Sequence, residues 1–466
     1  MENLNKKSVA DLRELLGADS AARAIIDGLF DNGTFAEIGS YVRRVTTAAD
    51  NGVGASEFEG VITGYGAIDG RLTFAFVQDA SRMKGAFGEA HAKKICALYD
   101  LAMKAGAPVI GVFDSNGAKV EEGVAAVAAY SKVMKKAADA SGYVPQIALV
   151  NGVCAGSAAA FAAMFDFVIA KKDASMFVTA PFLLGNKAAG ICGAAKNGSV
   201  DILCEDTAEL TAKAKALISY LPQSAEDGAF SDSEDDLNRL TPELDGVLGT
   251  DTVATVTAVA DFGKFLEVCS DYAPEMICGF AFIGGVSCGI VANNCKVKDG
   301  AITAMAADKA SGFVNLCGSF GIPVVTLVDS VGIEPTAENE DAGYSSSLAS
   351  LAYSYAQAPT ALITAVVGKA YGVAATVFGS KSIGADVVYA TDNACIGAMA
   401  PEAAVQFLYA DKLAAGADRA TLVAEYKATV SSPVEAARLG EVDDIVVPVE
   451  LRQRIVAAIE MMIAEV

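Results

Sequence analysis

Two short loops carry residue types that could stabilise a negatively charged oxygen. VCAGSA (153–158) follows the apolar run PQIALVNG, and KAYGVA (369–374) follows ALITAVVG. Each loop thus joins a predicted buried strand to Ala-rich sequence that predicts a helix. Glycine and small residues let a ligand approach the main chain, and free N–H groups at a helix start stabilise negative charge. The loops are candidate oxyanion sites, and tight packing of helix against sheet is the alternative explanation for their small residues.

Side-chain catalysts are scarce in this sequence. The chain has one histidine, His91, which excludes a histidine-rich metal site and a Ser-His-Asp relay repeated along the chain. The ten cysteines stand singly and never form a CxxC pair. We therefore predict no metal site and interpret His91 as a structural helix residue. Stabilisation of an oxyanion by backbone N–H groups needs no side-chain base, so it remains the favoured chemistry.

Several segments recur in the same order, which indicates an internal duplication. GAPVIGVFDSNG matches GIPVVTLVDSVG, so that Asp114 corresponds to Asp329, 215 positions later. Both aspartates end predicted strands and are interpreted as caps of the following turns. Within each copy, β-branched runs bounded by Gly and Pro alternate with helical stretches, a pattern typical of parallel sheets covered by helices. We predict an α/β fold in two copies.

An acidic stretch separates the two copies. Residues 222–246 contain eight acidic residues, one arginine and little apolar periodicity. We predict an N-terminal domain over 1–225, a solvated linker over 226–246 and a C-terminal domain over 247–466.

The overall charge restricts the class of partner. The formal net charge is −22, and because no concentrated basic cluster is evident we expect no nucleic acid or anionic membrane surface as partner. Charged residues interrupt the apolar runs before the ~18–20 residues that a membrane span needs. The first 17 residues lack the pattern of a secretory signal, so the expected location is cytoplasmic.

Six motifs are weak singly but specific together: GAFGEAHAKKIC (85–96), GAPVIGVFDSNGAKVEEG (106–123), PQIALVNGVCAGSAA (145–159), LTPELDG (240–246), KAYGVA (369–374) and SSPVEAARLGEVDDIV (431–446). They resemble the carboxyltransferase (β) subunit of biotin-dependent acyl-CoA carboxylases, typified by propionyl-CoA carboxylase, and of related acyl-CoA decarboxylases. The resemblance implies a duplicated crotonase-like fold of two β/α spiral domains. The N-terminal domain would bind acyl-CoA, and the C-terminal domain of a facing subunit would bind biotin.

The same resemblance implies site residues. The amides that would hold the thioester oxygen belong to Gly156, Ser157 and Ala158. Those that would hold the ureido oxygen of biotin belong to Gly372, Val373 and Ala374. Further acyl-CoA contacts would come from Gly85, Ala86, Gly117, Ala118 and Lys119. Lys93, Lys94 and Lys119 are candidates for CoA phosphate contacts, and solvated surface lysines are the alternative interpretation.

The resemblance also implies partners. The sequence has no biotin-accepting Ala-Met-Lys-Met and no glycine-rich ATP-binding signature. Biotin would therefore arrive on a biotin carboxyl carrier protein, served by a biotin carboxylase or by a membrane decarboxylase subunit. A site shared between facing subunits would require a homodimer or a hexamer of dimers. The proton would pass between the acyl α-carbon and carboxybiotin itself.

Some positions depart from the family pattern. Ser157 and Val373 replace the second glycine of each oxyanion loop, Lys119 replaces an arginine, and Ser346-Ser347 replaces Arg-His. A β-branched residue such as Val373 resists positive φ. The alternative hypothesis is therefore a non-catalytic crotonase-like paralogue that serves as a scaffold or regulatory subunit.

Overall fold

The computed structural model describes residues 7–16, 20–46, 58–185, 190–228 and 235–463. Two compact units divide the chain, Met1–Gly228 and Ala229–Val466. The helices of these described ranges are all too short or too polar to span a bilayer.

The first unit is built on one mixed sheet. Its strands are β1 (Ala36–Ile38), β2 (Val61–Ile68), β3 (Arg71–Gln78), β4 (Val109–Ser115), β5 (Gln146–Ala155), β6 (Phe167–Lys171), β7 (Ser175–Phe177) and β8 (Ile202–Cys204). Its helices are α1 (Val9–Leu16), α2 (Ala21–Leu29), α3 (Glu89–Ala105), α4 (Val124–Ala140), α5 (Ser157–Ala162), α6 (Ile191–Lys196) and α7 (Thr207–Tyr220). The sheet order is β1-β2-β3-β4-β5-β6-β8, and β7 pairs with the end of β5.

The second unit is built in the same way. Its strands are β9 (Phe265–Val268), β10 (Met276–Ile283), β11 (Val286–Asn293), β12 (Val324–Ser330), β13 (Leu362–Tyr371), β14 (Val387–Thr391), β15 (Cys395–Gly397) and β16 (Asp444–Val446). Its helices are α8 (Leu244–Val247), α9 (Thr252–Val259), α10 (Ala304–Ser319), α11 (Ala337–Asp341), α12 (Tyr344–Gln357), α13 (Val373–Val377), α14 (Pro401–Leu408), α15 (Ala410–Ala414), α16 (Arg419–Thr429), α17 (Pro433–Arg438) and α18 (Leu451–Ile463). The sheet order is β9-β10-β11-β12-β13-β14-β16, and β15 pairs with β13.

The two sheets are topological copies. In each, the first three strands are antiparallel and the remaining neighbours are parallel. The register between β4 and β5 shifts after Phe113, and that between β12 and β13 shifts after Val328, the equivalent residue. The predicted α/β duplication is therefore confirmed.

The apolar strands are buried because helices cover the sheets. All seven residues of β12 are buried, and six of the seven in β4 are. Helices α3, α4 and α5 share one hydrophobic core with the first sheet, and α9 and α18 share another with the second sheet. Burial of both faces of β4 and β12 explains why these strands are nearly continuous apolar runs in the sequence.

The acidic segment between the copies is largely part of the second unit. Residues 229–234 of the predicted linker lie outside the described residues. Beyond them, the Thr241 N–H donates to the Val449 carbonyl over 2.9 Å, and Leu244 is fully buried. Asp235 forms ion pairs with Arg239 and Arg452. Residues 235–246 therefore belong to the folded second unit rather than to a linker, because the buried Leu244, the Thr241 hydrogen bond and the ion pairs of Asp235 attach them to it.

A buried lysine recurs in both units. Lys94 is 5% exposed and donates to the Val61 carbonyl, and burial lowers the pKa of its ammonium to about 8. Lys309, 6% exposed, donates to the carbonyls of Cys269, Tyr272 and Met276 over 2.7 to 2.8 Å. Lys94 is therefore neither a solvated lysine nor free to meet CoA phosphates.

We predict that replacing this lysine lowers the free energy of unfolding by different amounts in the two units. Lys309→Met should lower the free energy of unfolding by about 2–4 kcal/mol, because hydrogen bonds to a charged group are strong and buried carbonyls would lose their donor. Lys94→Met should cost less, since one carbonyl accepts from it. Urea unfolding followed by circular dichroism measures both variants. Equal destabilisation would contradict the assignment of the three contacts.

Candidate functional site

The N-terminal candidate loop turns on one glycine. Strand β5 ends at Ala155, and Gly156 adopts φ 63° and ψ −124° immediately before α5. The Gly156 N–H donates to the Phe177 carbonyl on β7 over 2.8 Å. Ser157 and Ala158 open the helix, so their N–H groups have no acceptor within it. Of the three amides predicted to hold an oxyanion, that of Gly156 is therefore already used, whereas those of Ser157 and Ala158 have no acceptor within the helix.

The C-terminal loop repeats this geometry. Gly372 adopts φ 55° and ψ −117°, and its N–H donates to the Gly397 carbonyl over 2.9 Å. Val373 and Ala374 open α13 and correspond to Ser157 and Ala158. The positive φ falls on Gly372, whereas Val373 is helical and half-buried. The valine therefore does not force the backbone away from the geometry of the first loop.

An aspartate at the end of a central strand holds each loop in place; Asp329 is buried and Asp114 is half-buried. Asp114 Oδ1 accepts from the Val153 N–H over 3.1 Å, and Asp329 Oδ1 accepts from the Lys369 N–H over 2.9 Å. A Cβ atom on the glycine just before each of these donors would lie 2.2 or 2.3 Å from the carboxylate, at Gly152 and Gly368 respectively. Asp114 and Asp329 thus cap the adjacent strand rather than their own turn. The two glycines recur at the same place in both copies, and that recurrence is the sequence signal for their role.

The predicted acyl-CoA residue Gly85 lies against this aspartate. Met83, Lys84 and Gly85 have φ of 49°, 51° and 66°, and the equivalent residues 298–300 have φ of 51°, 54° and 70°. A Cβ on Gly85 would lie 2.0 Å from the Asp114 carbonyl oxygen. Left-handed residues other than glycine cost about 1–2 kcal/mol each, and such strain clusters at functional sites. Its recurrence therefore supports a functional role for this edge of each sheet.

The N–H groups of Gly85 and Ala86 are already used. They donate to the carbonyls of Arg82 and Met83 over 3.0 and 3.1 Å. Gly117 adopts φ 105°, and a Cβ there would lie 3.5 Å from the Ala155 carbonyl oxygen. Ala118 forms a bridge with Phe87. The structure thus places the Gly85 turn against Asp114 and the Gly117 turn near the end of β5. In both turns it is the main chain that shapes the surface.

Lys119 is not a surface lysine. It is 3% exposed, its ammonium lies 3.0 Å from Glu122 Oε1, and it donates to the Val45 carbonyl over 3.0 Å. The contact with a CoA phosphate predicted for Lys119 would require this internal ion pair to open. By contrast, Lys93 is exposed on α3. Lys93 is therefore the better placed of the candidate phosphate contacts.

The side chains around the loops are poor acids and bases at neutral pH. Burial raises the pKa of the Cys154 thiol to about 12. Burial and a hydrogen bond with Cys395 raise the pKa of Tyr371. His91 is fully buried, 3.3 Å from Glu59 Oε1 and 3.3 Å from Gln78 Nε2, which agrees with a structural role. Backbone N–H groups are therefore the groups at these loops best suited to stabilise negative charge.

A polar cavity of about 420 Å³ adjoins the C-terminal loop. Lys369 and Asp299 form an ion pair at its wall. Asp329 also lines it, and its Oδ2 has no hydrogen-bond partner among the described residues. Ser346 is exposed and Ser347 buried on α12, so the pair that replaces Arg-His presents one hydroxyl to solvent.

Comparisons with known proteins identify the class. The carboxyl transferase domain family matches residues 18–465. The carboxyltransferase subunit of propionyl-CoA carboxylase from Haloferax mediterranei is 36% identical over 95% of this chain and 90% of its own length. The α subunit of methylmalonyl-CoA decarboxylase from Propionigenium modestum is 35% identical over 95% of this chain and 90% of its own.

A solved structure has the same fold. The crystal structure of transcarboxylase 12S, a hexamer assembly with hydrolysed methylmalonyl-coenzyme A bound, superposes with a TM-score of 0.90 at 33% identity. The match covers 98% of this chain and 92% of that one. The predicted duplicated crotonase-like architecture is confirmed. This chain belongs to the carboxyl transferase domain family.

Proposed function

We propose that this chain is the carboxyltransferase component of a biotin-dependent acyl-CoA carboxylase or decarboxylase, moving a carboxyl group between carboxybiotin and an acyl-CoA. The observation that carries the proposal is the pair of glycine turns with matching φ and ψ, each presenting two helix-start amides. Relatives named as carboxylases and as decarboxylases both match this chain, so the direction stays open. No comparison supports the non-catalytic alternative, and family membership confirms the predicted enzyme class.

The first loop would act on the acyl-CoA. Removing or adding carboxylate at the acyl α-carbon places negative charge on the thioester oxygen. The amides of Ser157 and Ala158 would stabilise that charge, because preorganised donors need no reorganisation as the charge develops. Small side chains at Ala155 and Ala158 leave the main chain open to the thioester. Gly85, Gly117 and Ala118 would shape the wall on which it lies.

The second loop would act on biotin, which supplies the carrier nitrogen for the carboxyl group. The amides of Val373 and Ala374 would hold the ureido oxygen and so favour departure of the carboxyl group. The fit is supported by the backbone of Gly372, whose φ 55° and ψ −117° repeat the turn at Gly156 that precedes the amides of the first loop. We propose that biotin is attached to a separate carrier protein. A biotin carboxylase or a membrane decarboxylase subunit would be the third partner.

We further propose that copies of the chain associate as a dimer or hexamer. Val120, in the 3-10 helix before α4, is 85% exposed, Val124 at the start of α4 is 84% exposed, and Phe182 is 74% exposed. Exposed apolar residues of this size favour burial in an interface. The hexamer assembly of transcarboxylase 12S is consistent with this proposal.

Two measurements test the function. Isothermal calorimetry should show binding of malonyl-CoA or methylmalonyl-CoA to the chain alone. Decarboxylation of either thioester should require added biotin or biotinylated carrier. Failure to bind thioesters would remove the proposal, and decarboxylation without biotin would point to a crotonase-like enzyme of another type.

A further inference from the structure

The two copies fill the space beneath their short helix differently. In the first unit, Phe76, Phe113, Phe161 and Phe165 pack beneath α5 with ring centroids 5.4 to 6.3 Å apart. Gly111 makes room for them, because a Cβ there would lie 2.5 Å from the Phe76 ring. This aromatic cluster leaves the N-terminal copy filled at this place.

In the second unit, smaller residues occupy the positions that are equivalent to these four phenylalanines. Val328 corresponds to Phe113, because Val328 pairs with Val366 and Phe113 pairs with Val150 at the same place in each sheet. Val291 corresponds to Phe76 in the same way, since their partners are Thr326 and Gly111. By the same alignment, Val377 and Ala385 stand for Phe161 and Phe165. A cavity of about 410 Å³ lies beneath α13, and Val328, the counterpart of Phe113, lines it together with Val366, Ala375, Phe378, Val388 and Ile396.

One polar atom in this cavity lacks a partner. Thr364 is 2% exposed and lines the cavity, and its hydroxyl makes no hydrogen bond within the described chain. A buried hydroxyl is normally hydrogen-bonded, because its desolvation is otherwise uncompensated. The equivalent position of the first unit is Ala148, so the hydroxyl and the cavity occur together in the second unit. This coincidence indicates a ligand that supplies the missing hydrogen bond.

The polar residues that line the cavity restrict the charge of that ligand. The lining includes Ser382 and Ile383, part of an insertion that the first copy lacks, and the carboxylate of Glu441. Ser382 donates to Glu441 Oε1 over 2.7 Å. A carboxylate in the lining disfavours anions, and mainly apolar walls disfavour any charge.

We propose that the cavity beneath α13 is a binding site for a compact, uncharged, mainly apolar molecule with one hydrogen-bonding group, which engages Thr364. An apolar cavity of about 150 Å³ can hold benzene, so this larger space suits a bicyclic ring. Indole has this size and one N–H donor.

Indole binding tests the proposal on the full chain. The sequence contains no tryptophan, so indole fluorescence excited at the red edge is free of a protein indole background. We expect one saturable site per chain. Val328→Phe, which copies Phe113 of the first unit, should weaken binding by about tenfold or more by occupying the cavity.

Two further comparisons keep the result specific. Thr364→Val should weaken indole but not indene, which has the same shape without the N–H. Val434→Phe, at a position 65% exposed on α17, makes the same chemical change outside the cavity and should leave affinity unchanged. Circular dichroism checks folding, and Thr364→Val decides the question if Val328→Phe does not fold.

Some outcomes would overturn the site. These are no saturable indole binding by the wild-type chain, or unchanged indole affinity in a folded Val328→Phe or Thr364→Val variant. A crystal structure in which ordered water on Thr364 persists after indole soaking would also overturn it, by showing that water supplies the hydrogen bond.

Discussion

Carboxyl transfer by a Gly156→Val variant should fall by about 10²–10³-fold, equivalent to the ~2.7–4 kcal/mol associated with one lost oxyanion donor. Gly156 stands at φ 63° and ψ −124°, a conformation that is essentially restricted to glycine. Valine would relax to negative φ and rotate the Ser157 and Ala158 amides away from their common direction. A steric clash does not cause this loss of activity, because an added Cβ at Gly156 would meet nothing within 4 Å. Steady-state transfer rates measure the loss.

Gly70 provides the matched control for backbone strain. It has φ 77° in the β2–β3 turn, and an added Cβ there also meets nothing within 4 Å. Gly70→Val should therefore lose similar stability and keep transfer activity. A Gly156→Val chain that transfers carboxyl groups at the wild-type rate would place the active site in another loop.

The recurring features of the fold were predictable from the sequence. GAPVIGVFDSNG and GIPVVTLVDSVG became β4 and β12, at the same place in each sheet. Gly156 and Gly372 became turns with nearly identical dihedral angles. Both predictions succeeded because an internal duplication doubles each local pattern, and a glycine that must adopt positive φ recurs where other residues vary.

Side-chain environments were less predictable. Lys94 and Lys119 look like solvated lysines in a helical and a polar context, yet both are buried. Their ammonium groups donate to backbone carbonyls far away in sequence, that of Val61 for Lys94 and that of Val45 for Lys119. Periodicity within one segment does not encode partners on another strand or loop. The assignment of donors to Ser157 and Ala158 rather than Gly156 likewise depends on β7, whose Phe177 carbonyl takes the Gly156 N–H.

The aspartate-centred arrangement explains why two diverged copies keep the same backbone. Asp114 and Asp329 each tie the end of one parallel strand to the loop that follows the next. Each also has a carbonyl oxygen pressed against a left-handed turn, at Gly85 and Gly300 respectively. The strained turn, the aspartate and the candidate amides therefore form one contiguous unit. A substitution at the turn should therefore lower the free energy of unfolding, even though the turn is distant in sequence from the loop.

Gly85→Ala tests this unit and should be more destabilising than other glycine substitutions in the first unit. The added Cβ would lie 2.0 Å from the Asp114 carbonyl oxygen, a backbone atom that cannot turn aside, at φ 66°. Left-handed strain of about 1–2 kcal/mol and overpacking of about 1–3 kcal/mol together predict a loss of roughly 2–5 kcal/mol. Gly70→Ala carries the strain without the clash and should lose only about 1–2 kcal/mol. Gly300→Ala, whose Cβ would lie 2.2 Å from the Asp329 carbonyl oxygen, should repeat the larger loss in the second unit. Urea unfolding measures all three variants, and equal destabilisation by Gly85→Ala and Gly70→Ala would show that Asp114 does not confine the turn.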